Sequence, residues 1–384
     1  MKSRSYTLSA MTRPMTLLCG AWLMLTSSCN LEAQNNYTVA YQAGAAADKT
    51  MAYLTDWDTV ETLDSAIVTD GTVRFTGHID KPIVARINAG GQHGPIFFLE
   101  PGDISISSDG ITQGTPLNEK MAADRALMEQ LSARYRTLDQ NDSLQSVEAR
   151  HIVADYDSIP VKAYRDNRDN PYGLFMFVQM AYEMPLRELR TEMTANPALA
   201  RSAQLKGIVN LKTARASSAE GSRYKDFTVV YNDSTQTLSS LVMPGRYTLV
   251  DYWASWCGPC MTQLKVLKDL YSRFHDRGLD VVGVAVWDRP EDTLAAIKAH
   301  DITWPTIIDA QTIPTDLYGI QGIPCIMLIG PDGVIISRDK QGRELVEIVE
   351  KSMADHATIT SMQENYQPLP EQKPATSADT IPAF

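Results

Sequence analysis

The sequence predicts an α/β domain with a small all-β domain and a helical connector ahead of it. Beyond residue 226, strand-length apolar runs alternate with amphipathic helical stretches. Before that, residues 35–108 carry short apolar runs divided by turn residues, and residues 117–218 carry a helical period. At 384 residues the chain exceeds one ordinary core, so more than one domain is expected.

Composition narrows the function classes. A hydrophobic content of 44% with 21% charged residues is that of a folded soluble protein and excludes wholesale disorder. The net charge of −11 offers no basic field to gather phosphates, so nucleic acid is not an expected partner.

The N-terminus reads as export information. Lys2, Arg4 and Arg13 precede an apolar run over 15–25, and small residues Thr26-Ser27-Ser28 follow. That order marks residues 1–28 as a secretory signal, with a run too short to span a bilayer as a mature helix. Cys29 comes next, directly after Leu25-Thr26-Ser27-Ser28. This resembles the bacterial lipoprotein processing box, whose cysteine becomes the acylated first residue. An ordinary signal-peptidase cut near Ser28 is the alternative.

Cysteine use sharpens the reading. Cys19 leaves with the signal and Cys29 is lipidated or lost, so the mature body keeps Cys257, Cys260 and Cys325. Three cysteines do not make a disulfide framework, which makes the C-x-x-C pair chemistry rather than a staple.

The expected elements follow in chain order. Residues 29–112 form the β domain, with strands near 38–41, 51–54, 66–68, 73–76, 83–87, 96–99 and 104–106. Asp70-Gly71 signals a hairpin, and strands at this spacing suggest a small sandwich with a packing or partner-binding role. Residues 113–222 form the connector. There Leu127, Leu131, Tyr135 and Leu138 share a helical face, further helices cover 171–184 and 185–193, and another begins at Asn196-Pro197. Met176, Met180 and Met184 read as core filler.

Residues 223–356 form the α/β domain. Its strands are expected at 227–231, 247–253, 279–287, 304–309, 324–329 and 334–338, and its helices at 261–274, 290–300, 316–320 and 343–353. Leu345, Ile348, Val349 and Met353 face inward on the last helix. Residues 357–384 are rich in Pro, Ser, Thr, Gln and Ala and read as a disordered tail.

The candidate chemistry is Trp256-Cys257-Gly258-Pro259-Cys260, at a strand-to-helix corner. Two thiols three residues apart sit one helical turn from each other, close enough to join with little backbone movement. Cys257 also lies where unpaired helix N–H groups and the positive dipole end favour a thiolate. The pair makes a reversible two-electron switch.

The stretch from Leu249 to Cys260 resembles the active-site region of thioredoxins, and Tyr318-Gly319-Ile320-Gln321-Gly322-Ile323-Pro324 resembles their later segment ending in a cis-proline. Trp304-Pro305 and the N-terminal extension are similar to the exported, membrane-tethered TlpA/ResA group. The first domain resembles the small β domain often placed ahead of such proteins in gram-negative bacteria, so a cell-envelope, periplasm-facing location is implied.

The resemblance implies a thioredoxin fold, a central mixed sheet flanked by helices. It implies Cys257 as the exposed attacking thiolate and Cys260 as the resolving thiol. Asp251 matches a buried acid of raised pKa that takes a proton from the resolving thiol. Trp256, Gly258 and Pro259 shape the substrate-facing loop, and a cis Pro324 presents the Ile323 backbone to an extended substrate. No cofactor beyond the Cys257–Cys260 disulfide is implied, and no metal, since the six His stand at no ligand spacing.

The implied activity is thiol-disulfide reduction, with protein thiols and disulfides as partners, a membrane-borne thiol donor for recharging, and apocytochrome cysteines as one substrate class. Cys325 stands where the family usually has Thr, and a small buried thiol is expected there. Two rival readings stay open. One is a thiol peroxidase, whose Pro-x-x-x-Thr-x-x-Cys pattern is absent because Val250 and Ala254 occupy those places. The other is a surface partner-binding lipoprotein whose redox domain is subsidiary.

Overall fold

A computed structural model describes residues 35–138 and 143–354. The expected signal over 1–28, the expected lipidation at Cys29 and the expected tail over 357–384 all fall outside the described residues. Among the described residues, no helix is long and apolar enough to cross a membrane.

The N-terminal strands are β1 (Tyr37–Gln42), β2 (Met51–Asp56), β3 (Thr62–Ile67), β4 (Thr72–Gly77), β5 (Ile83–Ala89), β6 (Gln92–Leu99), β7 (Gly102–Ile106) and β8 (Thr112–Gln113). They form two four-stranded sheets, β4-β1-β7-β8 and β3-β2-β5-β6. Alternation buries Val39, Phe75, Ile104 and Ile106 of one sheet against Leu54, Ile87, Phe97 and Leu99 of the other, as in a sandwich. The Asp70-Gly71 signal does not produce a hairpin within one sheet. Both residues take positive φ (51° and 69°) around a single Thr69–Thr72 bridge, and the flanking strands then part into different sheets. The turn chemistry sets the reversal, while sandwich closure sets the partners.

Six helices follow: α1 (Pro116–Arg136), α2 (Ser143–Asp166), α3 (Pro171–Ala181), α4 (Leu186–Ala195), α5 (Pro197–Arg201) and α6 (Ala203–Ala216). They cover the second face of the β3-β2-β5-β6 sheet. In β6, Phe97 enters the sandwich while its neighbour Phe98 packs with Tyr172, Met176 and Phe177. Burying both rings stabilises each face by about 2–3 kcal/mol. Asn118 is buried and mimics a paired strand: its Oδ1 accepts from Phe98 N at 2.9 Å, and its Nδ2 donates to Phe98 O at 2.7 Å. The connector is therefore a packed layer.

Two expectations for this layer change. Leu131 and Tyr135 line a gap against α2, but Leu127 is 45% exposed and Leu138 lies past the end of α1. The helix α2, with Pro160 inside it, has no counterpart in the sequence reading.

Past a small hairpin of β9 (Thr228–Tyr231) and β10 (Ser234–Thr237) comes the sheet that carries the site. Its elements are β11 (Tyr247–Trp253), α7 (Gly258–Phe274), β12 (Leu279–Ala285), α8 (Pro290–Ala299), β13 (Thr306–Ile307), α9 (Ile313–Tyr318), β14 (Cys325–Ile329), β15 (Ile335–Arg338) and α10 (Gly342–Ala354). The strand order is β13-β12-β11-β14-β15, with β11, β12 and β13 parallel, β14 antiparallel to β11, and β15 antiparallel to β14. This mixed sheet flanked by helices is a thioredoxin fold. All seven residues of β11 are buried, so the strand is central and both faces are covered. Leu249 and Trp253 pack with α7 and α10 on one face; Val250 and Tyr252 pack with Tyr318 and Ile320 on the other.

Candidate active site

The strand β11 ends at Trp253, and the loop 254–257 turns the chain into α7. Cys257 is the N-cap of that helix, and its sulfur accepts the Cys260 N–H at 3.2 Å. Pro259 sits in the first turn, where its missing N–H costs nothing. Cys257 and Cys260 are joined as a disulfide, with Cα atoms 5.2 Å apart. The helix N-terminus gives any thiolate formed at Cys257 unpaired N–H groups and a positive dipole end.

One expectation is corrected here. Cys257 is not exposed in the disulfide form: its residue exposure is 4%, and it packs in the cluster around α7. Its sulfur, bonded to Cys260, lies against the first helical turn. What faces solvent is the rim of Trp256, Gly258 and Pro259, with Trp256 at 62% exposure. The Trp256 indole N–H donates to Trp287 O at 3.0 Å, which holds the ring beside the pair.

Asp251 is buried, and burial raises its carboxyl pKa from 3.8 to about 7. Among the described residues, its Oδ1 has no hydrogen-bond partner. By strand alternation it shares a face with Leu249 and Trp253, the face on which Cys257 and Cys260 pack. A buried acid titrating near neutrality is suited to accept and return a proton.

The peptide bond between Ile323 and Pro324 is cis. Both residues are half-buried at the start of β14, and the Gln341 side chain donates to Pro324 O at 3.1 Å. Cys325 follows as a buried free thiol whose Sγ donates to Asp339 Oδ1 at 3.1 Å. Burial, reinforced by the Asp339 carboxylate, pushes this thiol well above its ordinary value.

Asp288 is the residue that the sequence reading misses. It is buried, lies after β12 and accepts from Ser255 N and Ser255 Oγ, both at 2.8 Å. Thr293 Oγ1 and Arg289 N complete its shell at 2.7 and 3.1 Å. The available signal was an acidic residue just ahead of a Pro-initiated helix, which ordinarily reads as a cap.

A cavity of about 680 Å³ lies between the sandwich and the helices, against Tyr41, Ile96, Met121, Arg125, Phe175 and Met176, and holds neither cysteine.

A dithiol at a helix mouth, on a thioredoxin fold with a buried acid behind it, defines the class: a thioredoxin-like thiol-disulfide domain. Residues 221–338 match the model of the AhpC/TSA family. Residues 37–121 match a domain of unknown function, DUF4369. Homologues are named thiol-disulfide oxidoreductase ResA. That of Oceanobacillus iheyensis is 31% identical over 27% of this chain and 53% of its own length; that of Bacillus subtilis is 23% identical over 32% and 68%. The chain thus spans about half to two thirds of those relatives. The thioredoxin domain of a Bacteroides vulgatus thiol-disulfide oxidoreductase is 30% identical, over 35% of this chain and 96% of that one, with a TM-score of 0.32.

Proposed function

We propose that the protein is an exported, membrane-anchored reductase of protein disulfides that works through Cys257 and Cys260. The Cys257–Cys260 disulfide at the mouth of α7 carries this reading. In the reduced protein, the Cys257 thiolate attacks one sulfur of a substrate disulfide. A Cys257–substrate mixed disulfide forms, and the other substrate sulfur leaves as a thiolate. Cys260, deprotonated with Asp251 as acceptor, then attacks Cys257 Sγ. The Cys257–Cys260 disulfide forms and the second substrate thiolate leaves. Two electrons pass to the substrate, and its two thiolates take up two protons. A membrane-borne dithiol donor returns the electrons by the reverse exchange.

The Gly258-Pro259 dipeptide supports the reducing direction, and the name of the ResA homologues supports thiol-disulfide exchange as the chemistry. Export and anchoring through Cys29 rest on the N-terminal residues, and apocytochrome cysteines are the substrate class we assign by analogy. Insulin-disulfide reduction tests the core of the proposal. Wild type is expected to be active and Cys257→Ser inactive; activity retained in that variant removes Cys257 from the mechanism.

A further inference from the structure

The segment 286–288 makes three successive contacts, with the end of β11 and with the redox loop that follows it. Val286 N donates to Trp253 O at 3.0 Å, Trp287 O accepts the Trp256 indole, and Asp288 accepts both Ser255 donors. The segment is itself held. Trp287 takes φ 53°, a conformation that a bulky side chain adopts only under surrounding constraint. Gln311 Nε2 donates to Asp288 O at 2.7 Å, and Thr293 Oγ1 grips the Asp288 carboxylate from α8.

Among the described residues, this buried carboxylate accepts from two backbone N–H groups and two hydroxyls, and no cation pairs with it. The Arg289 guanidinium turns instead to Glu291 and Asp292. An acceptor-only group with this shell orients what donates to it and leaves its negative charge uncompensated by any full positive charge.

We infer that Asp288 is a positioning residue that clamps the Cys257–Cys260 loop in its disulfide-closed geometry and so biases the dithiol couple toward the reducing end. This rests on the reductase reading above. Two effects act in one direction. The bonds to Ser255 hold the loop in the shape that joins the two sulfurs, which favours the oxidised form. The carboxylate, two residues from the cysteine through Ser255, opposes a thiolate at Cys257, which disfavours the reduced form. A couple whose disulfide form is favoured is the stronger reductant.

The test is equilibration of the full chain with reduced and oxidised glutathione. One disulfide and two glutathione thiols form per dithiol and glutathione disulfide consumed. Asp288→Asn is nearly isosteric and is expected to shift the equilibrium constant about tenfold toward the dithiol, roughly 30 mV more oxidising. Ser255→Ala removes the hydroxyl bond alone and is expected to shift it the same way by a smaller amount. A purely structural role lowers the melting temperatures of oxidised and reduced protein together and leaves the potential unmoved; the clamp predicts a larger loss for the oxidised form. A normal wild-type couple on which Asp288→Asn superimposes overturns the clamp alone. A wild-type protein whose thiols never pair overturns the reductase reading, and the clamp with it.

Discussion

Cys325 and Cys257 occupy opposite faces of the same sheet. Cys257 packs with Leu249, Trp253 and α7, whereas Cys325 packs with Val250, Tyr252 and Tyr318. The residue after the cis-proline thus faces away from the dithiol, and its thiol is spent on Asp339.

Cys325→Ala is therefore expected to retain insulin-reducing activity within about twofold. Its cost falls on stability, about 1–2 kcal/mol for a small buried side chain and one hydrogen bond. Asp339 keeps Arg215 and Arg338 as donors, which limits the loss. Urea unfolding with a parallel turnover assay checks both halves. A large fall in activity at unchanged stability contradicts the separation of the two sulfurs.

Asp251 predicts a pH dependence of defined sign. The unfolded carboxyl ionises near 3.8 and the folded one near 7. Between those values the folded protein holds a proton that the unfolded chain has released. Stability therefore falls as pH rises from about 4 to about 7, and this group adds no slope outside that window. Asp251→Asn is expected to abolish the slope and to stabilise the protein at pH 8, with a ceiling on the order of 4 kcal/mol. The same variant loses its proton acceptor, so turnover is expected to drop about ten- to a hundredfold at neutral pH. Unfolding midpoints and insulin turnover measured from pH 4 to 8 test both.

The contact of α6 with the thioredoxin fold makes a third prediction. Gly319 has φ 62°, and a Cβ there would lie 2.4 Å from Leu211 O and 2.6 Å from Arg215 N. Gly319→Ala must push α6 away and is expected to cost roughly 2–4 kcal/mol. Gly207 on the same helix has open space around it. Gly207→Ala is expected to gain up to about 1 kcal/mol from helix propensity alone. Thermal melts of the two variants, run side by side, separate the contact from the helix.

The places where sequence and structure part have a common cause. The strand Tyr247–Trp253 was legible end to end, because a strand buried on both faces is an unbroken apolar run. The strand β10 was not, because Ser234-Thr235-Gln236-Thr237 is polar and pairs only with β9. Its turn, Asn232-Asp233 with φ of 48° and 58°, was the available clue. The helix α2 was missed because charged residues and Pro160 interrupt its apolar period.

What the sequence by itself determined is the chemistry: two thiols one helical turn apart, a strand before them, an acid six residues upstream of the first, and a proline far downstream. These are local spacings, and a helix or strand converts spacing into geometry without help from the rest of the chain. Tertiary structure alone decided which way each group faces and what holds it. It turned Cys325 from the dithiol, covered Cys257, made the connector a third layer, and brought Asp288 across 33 residues onto Ser255. Such contacts depend on which strands become neighbours, and that follows from burying several apolar faces at once.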